Sequence, residues 1–175
     1  MAERNPVLEA IRARRSIRRY TDEPLHKEDV LRILEAGRWA PSGRNNQAWR
    51  FLALRAGDPR AGMLARCTKY ARIVENAAAL ICLFLEKAVM YDTRKEHQGA
   101  GACMQNMLLA AHALGLGGVW IGEIVNQSQQ VMDALRLDPE KLEFQALLAL
   151  GYPAEAGDAD RLPLEKLLLE QLWQD

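Results

Sequence analysis

The stretch AGACMQNMLLAAHAL, residues 100–114, constrains the fold more than any other part of the chain. It belongs to a longer helical segment, residues 95–114, and from residue 100 onward it is apolar around most of its circumference. A helix lying on a protein surface shows one apolar stripe, so a helix of this kind is either central in its domain or sealed by another subunit. At 175 residues the chain suits a single domain over residues 1–175, long enough to bury roughly 70% of its unfolded surface without staples. Hydrophobic residues make up 49% of it and charged residues 26%, a balance that predicts a folded globule and not a disordered chain.

The rest of the chain divides into helices and strands that do not alternate cleanly. Asn5 followed by Pro6 reads as a helix cap and first turn, with Val7, Leu8 and Ile11 on one apolar face. A second, surface-lying helix carries Val30, Ile33 and Leu34 and stops near Trp39. Residues 40–49, APSGRNNQAW, are turn chemistry, and residues 49–54, WRFLAL, read as a strand. Asp58-Pro59 opens a short helix, and the apolar run AAALICLFL, residues 77–85, reads as a central strand. Further strands are expected at 119–121 and 144–150, and Asn126 is expected to cap a helix ending near Leu135. After the loop-like AEAGDADR, a final amphipathic helix is expected from Pro163, with Leu164, Leu167, Leu168 and Leu172 on one face. This order points to an α+β class, a sheet with helices on it.

Charge and cysteine usage narrow the function. Lys+Arg and Asp+Glu cancel at 23 each, which argues against a dedicated nucleic-acid binder. The amino-terminal run MAERNPVLEAIRARR lacks the apolar core of a secretory leader. No apolar stretch reaches the roughly 18 residues of a membrane span. Cys67, Cys82 and Cys103 form no C-x-x-C pair and read as reduced, mostly buried thiols of a cytoplasmic protein. His26, His97 and His112 are scattered, so capping, surface or core roles outweigh metal ligation and no metal site is expected.

Against this neutral background, RARRSIRRY, residues 12–20, places five arginines in its first eight positions. Arg14, Ser16 and Arg18 share one side if the backbone is extended, and Arg14 and Arg18 share one face if it is helical. Two guanidiniums with a hydroxyl between them suit a phosphate dianion; a solvated helix end is the plainer alternative. There is no G-x-x-x-x-G-K-[ST], and Gly115-Leu116-Gly117-Gly118-Val119-Trp120 follows a helix where a dinucleotide fingerprint would open one. H-E-x-x-H and G-x-S-x-G are absent too. Pro41-Ser42-Gly43-Arg44-Asn45-Asn46-Gln47 combines fixed backbone with mixed donors and acceptors, as the edge of a neutral heteroaromatic ring requires, although a connecting loop would look similar. GLGGVWIGEI, residues 115–124, flanks a short apolar strand with glycines that permit close approach of a flat ligand.

Taken together and in order, RRSIRRY, AGRWAPSGRNNQAWRF, QNMLLAAHALGLGGVWIGEI and LGYPAEAGDADRLPLEKL resemble the nitroreductase family of FMN-dependent, NAD(P)H-using oxidoreductases. The resemblance runs from about Asn5 to Leu167. It implies an intertwined homodimer built on a central, mostly antiparallel sheet flanked by helices, with FMN in clefts between subunits. It assigns Arg14, Arg15, Ser16 and Arg18 to the FMN phosphate, with Arg161 completing the grip; Ala159 stands where members often carry a second basic residue. It brings Pro41, Ser42, Gly43, Asn45 and Gln47 to the flavin from the partner subunit. It lays the Gly122 amide against the reactive flavin nitrogen with Ile121 and Glu123 beside it, although larger members read Glu-Gly where this chain reads Gly122-Glu123. The implied reaction passes hydride from transiently bound NADH or NADPH through the flavin to a nitroaromatic, a quinone or another small electron-poor acceptor, with no side chain named as obligatory acid or base. Ene reduction, dehalogenation, dehydrogenation and flavin fragmentation are other reactions of the same fold. A non-catalytic flavin-binding protein is the alternative of a different class. Neither nucleic acid nor membrane is an expected partner.

Overall fold

The computed structural model describes residues 5–171 and residue 173. Four strands, β1 Trp49–Arg55, β2 Ala79–Glu86, β3 Gly117–Ile121 and β4 Leu142–Gly151, form one sheet in the order β1-β2-β4-β3. Every neighbouring pair is antiparallel. Helices α1 Pro6–Ala13, α2 Lys27–Arg38, α3 Pro59–Ala65, α4 Ala71–Glu75, α5 Thr93–Ala113 and α6 Ser128–Leu135 accompany it. The class is α+β, as the unalternating order of elements indicates.

The central strand shows why its sequence lacks alternation. Ala79, Ile81, Leu83 and Leu85 of β2 point into a core shared with Ile33 of α2 and Cys103, Met104 and Met107 of α5. Leu80, Cys82 and Phe84 point into the opposite core, with Leu64, Val74, Val131 and Met132 of α3, α4 and α6. A strand covered on both faces has no polar side to display. β4 is also covered on both faces, but its register shifts beside Leu83/Phe84, so that Leu83 pairs with Ala146 and Phe84 with Phe144. The extra residue, Gln145, turns Phe144 into the same core as Leu147 and Ala149, away from Ala146 and Leu148.

Local signals at two helix starts act as expected. The Asn5 side chain accepts hydrogen bonds from the Val7 and Leu8 amides at 3.0 and 3.2 Å, and Asp58 accepts from the Arg60 amide at 2.9 Å. α5 is indeed central, burying Ala100, Cys103, Met104, Met107, Leu108 and Ala111. Its remaining side is only half-covered: Asn106, Leu109 and Ala110 line an open groove of about 470 Å³ with Pro6, Val7 and Trp39. Val7, Leu8 and Ile11, the apolar face of α1, are 63, 52 and 49% exposed, so the face that the sequence marks for burial finds little cover among the described residues. All three cysteines are free and buried; burial pushes the Cys82 and Cys103 thiols up to about 12. Among the described residues no helix is long and apolar enough to cross a membrane.

Two expectations need correction, and one helix was not foreseen. Asn126 does not cap α6, because β3 runs into a 3-10 segment, Glu123–Gln127, and the helix starts from Gln127 with no side-chain cap. The short helix α4 carries too few periodic positions to be visible in the sequence. The amphipathic helix from Pro163 is absent: Leu164–Lys166 makes a single 3-10 turn, and Leu162, Leu164 and Leu167 are 62, 60 and 60% exposed. Leu172 lies outside the described residues. An apolar face at helical spacing marks a surface that needs cover, and a helix too short to stand alone does not form until that cover is present.

α6 ends on Arg136, held left-handed at φ 55 and ψ 41. Only glycine adopts that conformation without steric penalty. Arg136→Gly is expected to stabilise the protein by about 0.5–1 kcal/mol. A denaturant midpoint that does not rise in the purified variant would contradict that expectation.

Candidate functional site

Of the two geometries open to the arginine stretch, the structure adopts the extended one. α1 stops at Ala13, and Arg14 leaves it at φ −57 and ψ 128. Ser16 then bridges Gly118 in parallel fashion, with the Ile17 amide donating to the Gly118 carbonyl at 3.1 Å. Beyond it Tyr20 bridges Pro153, and the Thr21 amide donates to the Tyr152 carbonyl at 2.9 Å. The segment thereby covers the outer edge of β3, whose other side pairs with β4. Ile17 is buried, which leaves its alternating neighbours Ser16 and Arg18 on the other side of the backbone. The Tyr20 hydroxyl lies 2.7 Å from the Ile17 carbonyl and 3.0 Å from that of Ala149. Burial raises its phenol well above the ordinary range, so it stays a donor.

A carboxylate fixes the backbone without neutralising the cluster. Glu155 accepts from the Arg18 and Arg19 amides at 2.7 and 3.2 Å, and from Arg19 Nε at 2.9 Å. The Arg18 amide, ahead of the Arg19 guanidinium, holds the Glu155 carboxyl below its usual range. Two residues on, a Cβ at Gly157 would lie 2.2 Å from Arg15 Cβ. Only glycine lets the tail lie this close on the arginine segment, and it delivers Arg161 to the neighbourhood of Arg14. The Arg14 guanidinium is pushed below its ordinary value first by burial, then by Arg161 and Arg15. Its Nε is buried and has no hydrogen-bond partner. Arg15 Nη1 donates to the Arg14 carbonyl at 3.0 Å and Arg161 Nη1 to the Asp160 carbonyl at 2.9 Å. Among the described residues, none of these three guanidiniums is paired with a carboxylate. Ala159 is exposed beside them and adds no charge.

Arg18 faces a different place. It lines a cleft of about 160 Å³ with Tyr70, Trp120, Ile121, Gly122 and Glu123. Gly122 is exposed there and Ile121 is buried at 2%. The Glu123 carboxylate is turned toward Thr68 and Lys69, taking the Thr68 hydroxyl at 2.7 Å and the Lys69 amide at 3.4 Å. Trp120, 40% exposed, offers an aromatic wall. The Pro41–Gln47 loop lines yet another pocket, about 270 Å³, in which Pro41, Ser42 and Gly43 meet Lys95, Gln98 and Gly99 of α5. Ser42 Oγ accepts from the Gln47 amide at 3.0 Å, and Gln47 Nε2 donates to the Asn45 carbonyl at 3.0 Å.

The structure therefore brings Arg15 and Arg161 near enough to act electrostatically on Arg14, and it sets Arg18, Ile121, Gly122 and Glu123 around one cleft. It keeps Pro41, Ser42 and Gly43 in a separate pocket of the same chain, with Asn45 and Gln47 farther along the same loop and outside its lining. Sequence reasoning missed Glu155, Tyr70, Trp120, Asn46 and Glu96. Trp120 and Asn46 sit inside the motifs already singled out, whereas Glu155, Tyr70 and Glu96 have no local signal and depend on distant partners.

Comparison with known proteins identifies the family. The sequence model of the nitroreductase family matches residues 11–69 and 57–152. An NADH dehydrogenase from Thermus thermophilus is 32% identical over 200 aligned positions, covering 94% of this chain and 97% of that protein. Among solved structures, a Desulfovibrio desulfuricans protein assigned to the nitroreductases and crystallised with FMN is 56% identical at a TM-score of 0.97, covering 98% of this chain and 100% of that one. The NADPH:FMN oxidoreductase of Vibrio harveyi, in complex with NAD+, is 30% identical at a TM-score of 0.86, covering 98% of this chain and 79% of that one. Fold, ordered motifs and sequence similarity over nearly the whole length lead to one assignment: the chain belongs to the nitroreductase family.

Proposed function

We propose that the chain is a single FMN-dependent oxidoreductase domain, residues 1–175. In this reading it moves hydride from NADH or NADPH to a small electron-poor acceptor such as a nitroaromatic or a quinone. The observation that carries the reading is the buried, partnerless Nε of Arg14 within reach of Arg15 and Arg161. A buried donor without an acceptor is rare in a finished structure, and a cluster of unpaired guanidiniums asks for a multiply charged anion. The FMN phosphate fits that donor set. When bound, FMN supplies the two-electron chemistry.

The chain's own residues then divide the work of binding. Arg14, Arg15 and Arg161 hold the phosphate by charged hydrogen bonds, and Ser16 adds a neutral donor. Arg18 contributes a cation at the cleft of Gly122, where it would stabilise negative charge on a bound ligand. The Gly122 amide and the Trp120 ring approach the flat part of the cofactor, with Ile121 behind them. Ser42, Asn45 and Gln47 of a partner subunit's loop supply hydrogen bonds to its edge, which makes the working unit a homodimer. The uncovered face of α1, the groove along α5 and the exposed Leu162, Leu164 and Leu167 support that assembly, since apolar area on this scale is characteristic of an interface. No side chain is assigned as general acid or base. Three free, buried thiols suit a reducing compartment, the cytoplasm.

Two measurements test the reading. The purified protein is expected to be yellow, to bleach on addition of NADPH or NADH, and to recover its colour with a nitroaromatic or quinone; colourless protein that takes up no FMN would overturn it. Arg14→Ala and Arg161→Ala are each expected to weaken FMN binding roughly ten- to a hundredfold while leaving riboflavin affinity unchanged. Equal losses for both flavins would show that the cluster does not address the phosphate.

A further inference from the structure

Among the described residues, Glu96 is the one charged side chain buried in the interior, at 2% exposure in the first turn of α5. A carboxylate leaves water at considerable expense unless it is hydrogen-bonded. The helix start does not require it there, because Asp92 already caps α5 by accepting from the Lys95 amide at 3.0 Å. Glu96 Oε1 instead accepts from Asn46 Nδ2 at 2.7 Å, between residues 50 positions apart in sequence. The same amide nitrogen donates to the Val89 carbonyl. Both of its donors are thus taken by the segment that leads into α5.

The backbone around Asn46 needs such a hold. Arg44, Asn45 and Gln47 stand at φ 54, 56 and 51, a region that L-residues with side chains avoid. The loop is pressed against the same segment at a second point. A Cβ on Gly43 would lie 1.9 Å from the Tyr91 hydroxyl, and the Arg44 guanidinium sits 4.7 Å from the centre of the Tyr91 ring. Strained backbone persists only where its surroundings over-determine it, and a loop fixed beforehand loses less freedom when a ligand arrives.

We propose that Glu96, acting through Asn46, is a positioning residue for the cofactor loop: it presets the left-handed turn that presents Ser42, Asn45 and Gln47 before the flavin binds. The proposal rests on the reading of that loop as a flavin contact. Its test uses apo-protein and titrations with FMN and with riboflavin, followed by flavin fluorescence. Glu96→Leu and Asn46→Ala are each expected to weaken both flavins by the same factor, roughly tenfold, because the loop addresses the ring and not the phosphate. Glu96→Gln keeps an acceptor oxygen and is expected to stay within about twofold of wild type. The double variant is expected to bind no more weakly than either single one, since both break one contact.

Glu96→Leu protein that melts like wild type and binds both flavins as tightly would overturn the proposal. Losses confined to FMN, losses that multiply in the double variant, or Glu96→Gln as weak as Glu96→Leu would overturn it too. Should Glu96→Leu not fold, Asn46→Ala decides alone, and wild-type affinities there overturn the proposal. Gln47→Ala separates the two layers of inference. If it leaves both affinities unchanged, the loop is no flavin contact and the proposal falls with that reading. If it weakens both while Glu96→Leu and Asn46→Ala do not, the loop reading stands and the positioning role is refuted.

Discussion

Positive charge held close to Arg14 is the constraint on which this edge of the molecule depends. Guanidiniums that are free to move separate, yet here burial and two like charges act together on Arg14. What holds them is backbone that does not depend on them: the Ser16–Gly118 bridge, the buried Ile17, the Tyr20 hydroxyl on two carbonyls, and Glu155 on two amides. The free energy of collecting the charge is carried by sheet-edge pairing and core burial. An anion entering the cluster therefore meets donors already in place and relieves repulsion as it binds.

The long helix couples this edge of the molecule to the loop. α5 packs against β3 and α2; Gly101 lies 3.8 Å from the Trp120 ring by its would-be Cβ, while Gly99 stands 3.5 Å from the Pro41 carbonyl in the same measure. Residues two apart on one helix thus approach the aromatic wall of one pocket and the loop of another. Small residues at these positions allow both approaches, which explains a helix rich in Ala and Gly where a core helix would ordinarily favour Leu and Ile.

Much of the fold was legible in the sequence wherever the signal was local or periodic. Asn5-Pro6 and Asp58-Pro59 are caps whose chemistry is complete within three residues, and the central strand is an apolar run whose length alone separates it from a helix. The carboxyl-terminal segment departs from its pattern because Leu164, Leu167 and Leu168 state only which side seeks cover, and among the described residues that side stays exposed. The arginine stretch left two geometries open, and tertiary pairing with Gly118 decided between them. Glu96 was illegible for a different reason. One glutamate between Lys95 and His97 reads as a solvated helix start, and its burial becomes visible only when a loop from 50 residues upstream is placed over it.

Three glutamates around the site share a logic that bears on mechanism. Glu155 binds the backbone of Arg18 and Arg19, Glu123 binds Thr68 and Lys69, and Glu96 binds Asn46. Each of these three carboxylates is engaged in fixing chain geometry, including that of Glu123, which lines the cleft. Arg14, Arg15 and Arg161, in contrast, have no carboxylate partner among the described residues. Under the proposed function, such a cleft would favour ligands that bring or acquire negative charge. In that reading the selection of an acceptor would rest on shape and electron affinity, because the demanding step belongs to a bound cofactor.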